Sequence, residues 1–170
     1  MNPSRRRVLF AGILGALAFA TARLLQPTPA RHGAGALGKD GVDIMRALVP
    51  ALLAGALPPP GAARDIAIAQ TIDGIGVAMR GLAPIAREEL ASLFSLLAFA
   101  PLRIGLGGMT ASWEEASVAD ADAFLVRLQS SRWTQKRAAY DALHQITFAA
   151  WYANPQSWPA IGYPGPPRLT

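Results

Sequence analysis

Hydrophobic side chains recur at helical spacing over most of the chain. Four stretches place apolar residues three and four positions apart, the pattern of a helix with one face in a core; they cover residues 40–57, 64–81, 119–129 and 134–152. A fifth stretch, residues 85–100, is apolar on nearly all sides, so we expect it to be the central core helix. Pro101 and three glycines after it predict a loop over 101–110. The pattern predicts an all-α bundle of four to five helices.

Composition agrees with a helical fold and removes several kinds of site. The chain has 170 residues, with 34 Ala and 21 Leu against only 6 Val and 7 Thr, which favours helix over strand. It contains no cysteine, which excludes disulfides, thiolate metal sites, iron–sulfur clusters and cysteine nucleophiles. No glycine-rich phosphate-binding motif is present. We therefore predict no catalytic, cofactor-binding or metal-ligating residue in this chain.

The first residues have the pattern of an export signal. Three arginines precede an uncharged stretch, residues 8–22, that ends in a possible cleavage site after Ala22. Those 15 residues reach roughly 22 Å as a helix, less than the roughly 30 Å of a bilayer core, which favours a cleaved signal over a retained anchor. Ser4-Arg5-Arg6 followed by one residue and two apolar ones resembles a twin-arginine signal, with Arg5 and Arg6 as its pair.

Loss of this segment would change the charge balance. The chain carries 16 Lys and Arg against 11 Asp and Glu; without residues 1–22, which hold three arginines and no acid, the net charge falls from +5 to +2. With no basic stripe in the remainder, a nucleic-acid partner is not expected. The chain then divides into a signal, a Pro- and Gly-rich flexible tether, a helical domain and an extended docking tail, at residues 1–22, 23–40, 41–153 and 154–170.

The tail combines large rings with prolines. Residues 151–167 contain five prolines, and Trp158 and Tyr163 lie beyond the last predicted helix. Because proline has no N–H and restricts the residue before it, we expect an extended, stiff ribbon without internal hydrogen bonds. Rings on such a ribbon would be exposed unless they lay on the bundle or on a partner.

The residues of this end of the chain match a known pattern. The stretch 137–167 resembles the C-terminal end of small subunits of membrane-associated FAD-dependent dehydrogenases, of the gluconate 2-dehydrogenase subunit 3 type. The matching residues are Tyr152, Ala153, Pro155, Trp158, Ile161, Gly162, Tyr163, Pro164 and Gly165. Larger members insert a Tyr-Gly-Gly-Asn-like run before the tryptophan, where this chain has only Gln156-Ser157, so it resembles a short relative.

The resemblance implies a non-catalytic accessory subunit. Such subunits carry the export signal for a flavoprotein of the glucose–methanol–choline class that has none, which folds around FAD in the cytoplasm and crosses the twin-arginine translocase as a passenger. FAD would belong to that partner, and a cytochrome subunit is a further implied partner. The implied location is the periplasm, where the partner or an uncleaved signal would hold the protein at the inner membrane. The implied partner-binding residues are Trp158, Ile161, Gly162, Tyr163, Pro164 and Gly165.

Two other interpretations stay open. In the first, the chain is a stand-alone periplasmic helical binding protein whose tail packs on its own bundle. In the second, it is an enzyme. For an enzyme the candidate groups are Asp141 with His144, or Glu114 with Glu115. The first pair has the spacing of a local contact on one helix, and Ser112 with Glu115 has the spacing of a helix-capping box, so structural roles are favoured for both pairs.

Overall fold

A computed structural model of the chain describes residues 37–159 and 162–165, and the helices are numbered within that part. The described residues form six α-helices and no strand, so the all-α prediction is confirmed with one helix more than expected. The helices are α1 (Gly38–Leu52), α2 (Ala62–Gly81), α3 (Pro84–Ala98), α4 (Ala100–Gly107), α5 (Val118–Gln129) and α6 (Thr134–Ala153). The predicted signal, including Arg5 and Arg6, and most of the tether lie outside the described residues.

The central helix is α1 rather than the predicted 85–100 segment. It contacts α2, α3, α5 and α6, and its Ile44, Met45 and Leu48 are completely excluded from solvent. The 85–100 segment, which forms α3, buries only three apolar side chains along its length and leaves Leu96 exposed. An apolar sequence on all sides of a helix does not say which sides the fold covers, and here the outer side of α3 remains open.

The predicted loop at 101–110 is instead mostly helix. Pro101 lies in the first turn of α4, where a missing N–H costs no intrahelical bond, and Gly108 ends the helix in the left-handed region at φ 65°. The helix packs on α5 through Gly107, whose position leaves room for the buried ring of Phe124. Two of the glycines that indicated a loop therefore have other roles: Gly107 allows the close contact with Phe124, and Gly108 ends the helix.

A sharp bend separates α3 from α4. The two helix axes turn by 94° at Phe99. Within the described residues, no single helix combines the length and the hydropathy needed to cross a membrane; α3 and α4 meet both criteria only as this bent pair.

The segment between α4 and α5 is held in place by contacts with α3, α4 and α5. The buried Trp113 donates its indole N–H to Leu97 O at 2.9 Å and meets Phe124 edge-to-face at 5.3 Å. Arg103, also buried, donates through Nε to Met109 O at 3.3 Å. These contacts join the end of α3, the connecting segment and α5 into one core.

The capping box lies five residues after the predicted one. The Ser112 hydroxyl does donate to Glu115 at 2.9 Å, but no helix begins there. Helix α5 begins at Val118, where Asp120 N donates to Ser117 Oγ at 3.1 Å and Ser117 N donates to the Asp120 carboxylate at 3.0 Å. Hydrogen bonds from the Ser117 hydroxyl and backbone N–H hold the pKa of the Asp120 carboxyl below its ordinary value.

Helices α2 and α6 pair along their length and carry the tail. Both have 20 residues and they share more of the fold's contacts than any other pair. At Gly74 the two backbones approach closely, since an added Cβ would lie 3.2 Å from the Ala150 Cβ. The pairing brings the C-terminal end of α6, where the predicted docking residues begin, against the side of α2.

Candidate functional site

The start of the tail is folded onto the end of α6. Residues Pro155–Ser157 form a turn of 3₁₀ helix, and the buried Ser157 hydroxyl lies 2.8 Å from both Trp151 O and Asn154 O. The Asn154 side chain accepts from Gln156 N at 3.0 Å and donates to Gln70 Oε1 of α2, also at 3.0 Å.

The expectation of an extended ribbon without internal hydrogen bonds is therefore wrong for this stretch. Prolines remove backbone donors, but the side chains of Asn154 and Ser157 supply hydrogen bonds in their place. Side chains of this kind bond locally to backbone groups and stabilise turns.

Trp158 organises the residues that follow it. Its indole N–H donates to Tyr152 O at 2.9 Å, and its own carbonyl accepts from Tyr163 N at 3.0 Å. The Tyr163 ring meets it edge-to-face, with centroids 5.2 Å apart. Gly165 lies against the same indole, since an added Cβ there would come within 3.1 Å of it. Tyr163 and Gly165 thus both lie against the tryptophan ring.

Five of the six predicted docking residues lie in the part of the tail that the structure describes. Trp158 and Gly165 are half-buried, whereas Gly162, Tyr163 and Pro164 are exposed. Tyr163 keeps 44% of its surface in solvent. The sixth predicted residue, Ile161, lies outside the described residues, as do residues 166–170.

A row of rings on α6 continues this group and was not predicted. Tyr140, His144, Phe148 and Tyr152 follow one another at four-residue intervals, and His144 stacks on Phe148 at 4.1 Å. The four-residue spacing of the rings in the sequence is the signal that could have found it. Tyr152 is exposed, and its backbone carbonyl accepts the Trp158 indole N–H, which places the Trp158 ring beside the end of the row. We call Phe148, Tyr152, Trp158 and Tyr163 the aromatic surface.

The residues named for an enzyme have surface contacts. Glu114 pairs with Lys39 at 3.2 Å, and Glu115 accepts from Ser112. His144 stacks on Phe148 at the edge of a shallow hollow of about 130 Å³ between α1, α5 and α6, which is smaller than typical ligand pockets of about 300 Å³ or more. Among the residues that the structure describes, no group of His, Asp or Glu could hold a metal ion.

Comparisons of the chain with protein-family models, with curated proteins and with solved structures find no match.

Proposed function

We propose that this chain is a non-catalytic accessory subunit of an FAD-dependent dehydrogenase of the glucose–methanol–choline class. In this proposal it carries the twin-arginine signal for a flavoprotein without one, accompanies it into the periplasm and stabilises it there. The aromatic surface is where the flavoprotein docks. The observation that supports it most is the exposed Tyr163 ring, fixed against Trp158 at the end of a segment whose residues resemble those of such subunits.

The geometry of the aromatic surface suits a binding role. The Trp158 and Tyr163 rings are oriented by the indole bond to Tyr152 O and the backbone bond between them. Rings that are held before binding lose little side-chain entropy when a partner covers them. Tryptophan and tyrosine are also enriched among residues that dominate binding energy. The surface therefore offers a preformed contact at a low entropic cost.

The first test is capture of the partner. A flavoprotein of the glucose–methanol–choline class that lacks an export signal is co-expressed with this chain, and the complex is purified through a tag on this chain. We expect material with the absorbance of bound flavin. A colourless chain that elutes alone, although the flavoprotein is present and loaded with FAD in the same cells, would contradict the proposal.

A point variant locates the docking surface. Tyr163→Ala removes an exposed ring and is expected to weaken the complex about 10-fold or more, as truncation of a central interface aromatic does. Because the ring contacts Trp158, its removal should lower the melting temperature by a few degrees at most. The matched control is Ile85→Ala, because Ile85 is a large apolar side chain, 70% exposed, on another part of the bundle. The aromatic surface would be removed from the proposal if the two variants lost affinity equally, or if neither variant lost affinity.

Export is tested separately at the signal. Arg5→Lys combined with Arg6→Lys is expected to leave both this chain and the flavoprotein in the cytoplasm. Arg7→Lys is the matched control, since Arg7 occupies the variable position after the pair and its replacement should leave export unchanged. Periplasmic flavoprotein in the double variant would contradict the escort role even if the two proteins bind each other.

The second candidate function is a stand-alone periplasmic helical binding protein. It is favoured by the bonds of the tail to its own bundle, between Asn154 and Gln70 and between Trp158 and Tyr152. Truncation after Asn154 removes the Trp158 bond and Tyr163 together and keeps the Asn154–Gln70 bond. Loss of flavoprotein binding at an unchanged melting temperature supports the accessory subunit. A melting temperature lowered by several degrees, with no partner found, supports the stand-alone protein.

A further inference from the structure

Large apolar side chains are exposed on both sides of the bend between α3 and α4. Leu96, Phe99, Leu102 and Ile104 are each between 37% and 45% exposed, and we call these four residues the elbow. Leu96, Phe99 and Leu102 follow one another three residues apart, and Leu102 N donates to Phe99 O, so neighbouring members lie within one helical turn of each other. Leu96, Phe99 and Leu102 therefore span the 94° bend, and Ile104 lies two residues further along α4.

The opposite side of the same helices is fixed in the core. Leu97 of α3 is fully buried, and Arg103 of α4 is buried and bonded to Met109 O. Gly107 lies under the Phe124 ring. Because these contacts hold both helices to the bundle, the elbow is a surface of the folded protein.

Two stretches of the sequence that meet at the end of α4 contain bases and no acid, whereas the exposed Glu114 and Glu115 follow Trp113, which is bonded to the end of α3. Between Glu89 and Glu114 the sequence has one charged residue, Arg103, and between Asp122 and Asp141 it has only bases. Those bases are Arg127, Arg132, Lys136 and Arg137.

Two of these bases touch the end of α4 directly. Lys136 Nζ donates to Leu106 O at 2.7 Å, and Arg127 donates to Gly107 O at 2.7 Å. Arg132 lies in the loop one turn before Lys136, and beside it Trp133 is 59% exposed. Arg127 and Lys136 therefore lie beside the C-terminal end of α4, and the loop before Lys136 carries Arg132 and an exposed indole.

We propose that the elbow binds the surface of an anionic phospholipid bilayer. Exposed aliphatic and phenyl side chains next to bases are the composition of segments that lie at the boundary of headgroups and acyl chains. Tryptophan is favoured at that depth, and each base near an anionic surface adds affinity. The absence of any acid between positions 122 and 141 is what points to an anionic surface.

The experiment uses the full chain, whose lack of cysteine makes a single introduced thiol unique. Leu102→Cys is labelled with an environment-sensitive fluorophore and mixed with vesicles of phosphatidylcholine alone or with phosphatidylglycerol added. Asp73→Cys, at an exposed position on α2, is the control label site. A label at position 102 reports on the elbow itself, whatever residues 1–36 contribute to vesicle binding.

We expect a blue shift at position 102, and none at 73, only when phosphatidylglycerol is present, with reversal by salt. On the labelled chain, Arg132→Gln should weaken vesicle binding about five-fold, whereas Arg80→Gln should change it by less than about two-fold. Arg80 is a matched control because it is an exposed base in the last turn of α2. It lies next to the start of α3, whereas the elbow lies at the other end of that helix.

Four outcomes would overturn the proposal. The first is an unchanged label at position 102 in both kinds of vesicle. The second is an equal shift with and without phosphatidylglycerol. The third is a shift without vesicles that grows with protein concentration, which would assign the elbow to a second copy of this chain. The fourth is a shift produced by a protein partner and not by vesicles. Because the vesicle measurements use the purified chain alone, the first three results do not decide whether it accompanies a flavoprotein.

Discussion

Substitution of Gly107 by alanine tests the contact that fixes α4 to the bundle. An alanine Cβ at this position would overlap the ring of Phe124, lying 2.8 Å from its Cγ and closer still to two other ring carbons. Phe124 is fully buried, and its ring also contacts Trp113, so it has no free space to move into. The same substitution at Gly105, two residues earlier in α4, meets no atom within 4 Å.

The two variants share one effect and differ in the other. Replacing a helical glycine by alanine stabilises a helix by about 0.5–1 kcal/mol, and this gain applies to both. Overpacking of a filled core costs about 1–3 kcal/mol, and the depth of the overlap at Gly107 puts its cost at the upper end. We therefore expect Gly105→Ala to gain about 0.5–1 kcal/mol and Gly107→Ala to lose about 2 kcal/mol.

Urea unfolding followed by circular dichroism measures both free energies of unfolding. The expected separation of about 3 kcal/mol corresponds to about 6–12 °C in melting temperature for a chain of this size. Equal stability of Gly105→Ala and Gly107→Ala would refute the reasoning, because it would show that the Phe124 ring does not lie over α4. A lower stability of Gly105→Ala would instead argue that residues 100–107 are not helical.

Three further results are expected from the structure. Ser117→Ala, which removes the hydroxyl cap of α5, should cost about 1 kcal/mol in thermal or urea unfolding, whereas Ser112→Ala, at the serine that precedes no helix, should cost little. NMR titration should place the pKa of Asp120 below its ordinary value, and Ser117→Ala should raise that pKa. Because the pKa is lower in the folded state, the ionised Asp120 carboxylate stabilises the fold fully above the unfolded-state pKa, and this stabilisation is lost as pH falls through the folded-state pKa. Trp113→Phe leaves Leu97 O without its buried donor and should cost about 1–3 kcal/mol; an unchanged free energy of unfolding would show that this bond contributes nothing.

The sequence predicted those helices whose signals are local. The expected segments 64–81, 119–129 and 134–152 appear as α2, α5 and α6 with ends shifted by no more than two residues. Periodicity and turn residues act within a few positions of each other, so they can be recognised without the fold.

The misplaced elements depend on distant contacts. Helix α4 was predicted as a loop because three glycines and a proline usually interrupt helices, but Gly107 is there to admit the Phe124 ring from α5. The centre of the bundle was assigned to α3 because that segment is the most apolar. Which helix is surrounded depends on the packing of the other five, and no local pattern contains that information.

The candidate site shows the same division. The rings at positions 158 and 163 stand out in the sequence as aromatic residues among prolines, and the structure brings them together. Their fixed geometry depends on bonds to Tyr152 and to the turn that Asn154 and Ser157 stabilise, which require the three-dimensional course of the chain. The spacing of the prolines therefore predicted a straight segment. In the structure, the side chains of Asn154 and Ser157 close a turn there.

The hydrogen bonds at the end of α6 link the tail to the integrity of that helix. Trp151 O receives the Ser157 hydroxyl and Tyr152 O receives the Trp158 indole, so the tail supplies the donors that the last carbonyls of a helix lack. A partner that peeled the tail away would unwind the final turn and lose binding energy to that fraying. A partner that covers the tail in place would instead slow amide exchange throughout that turn.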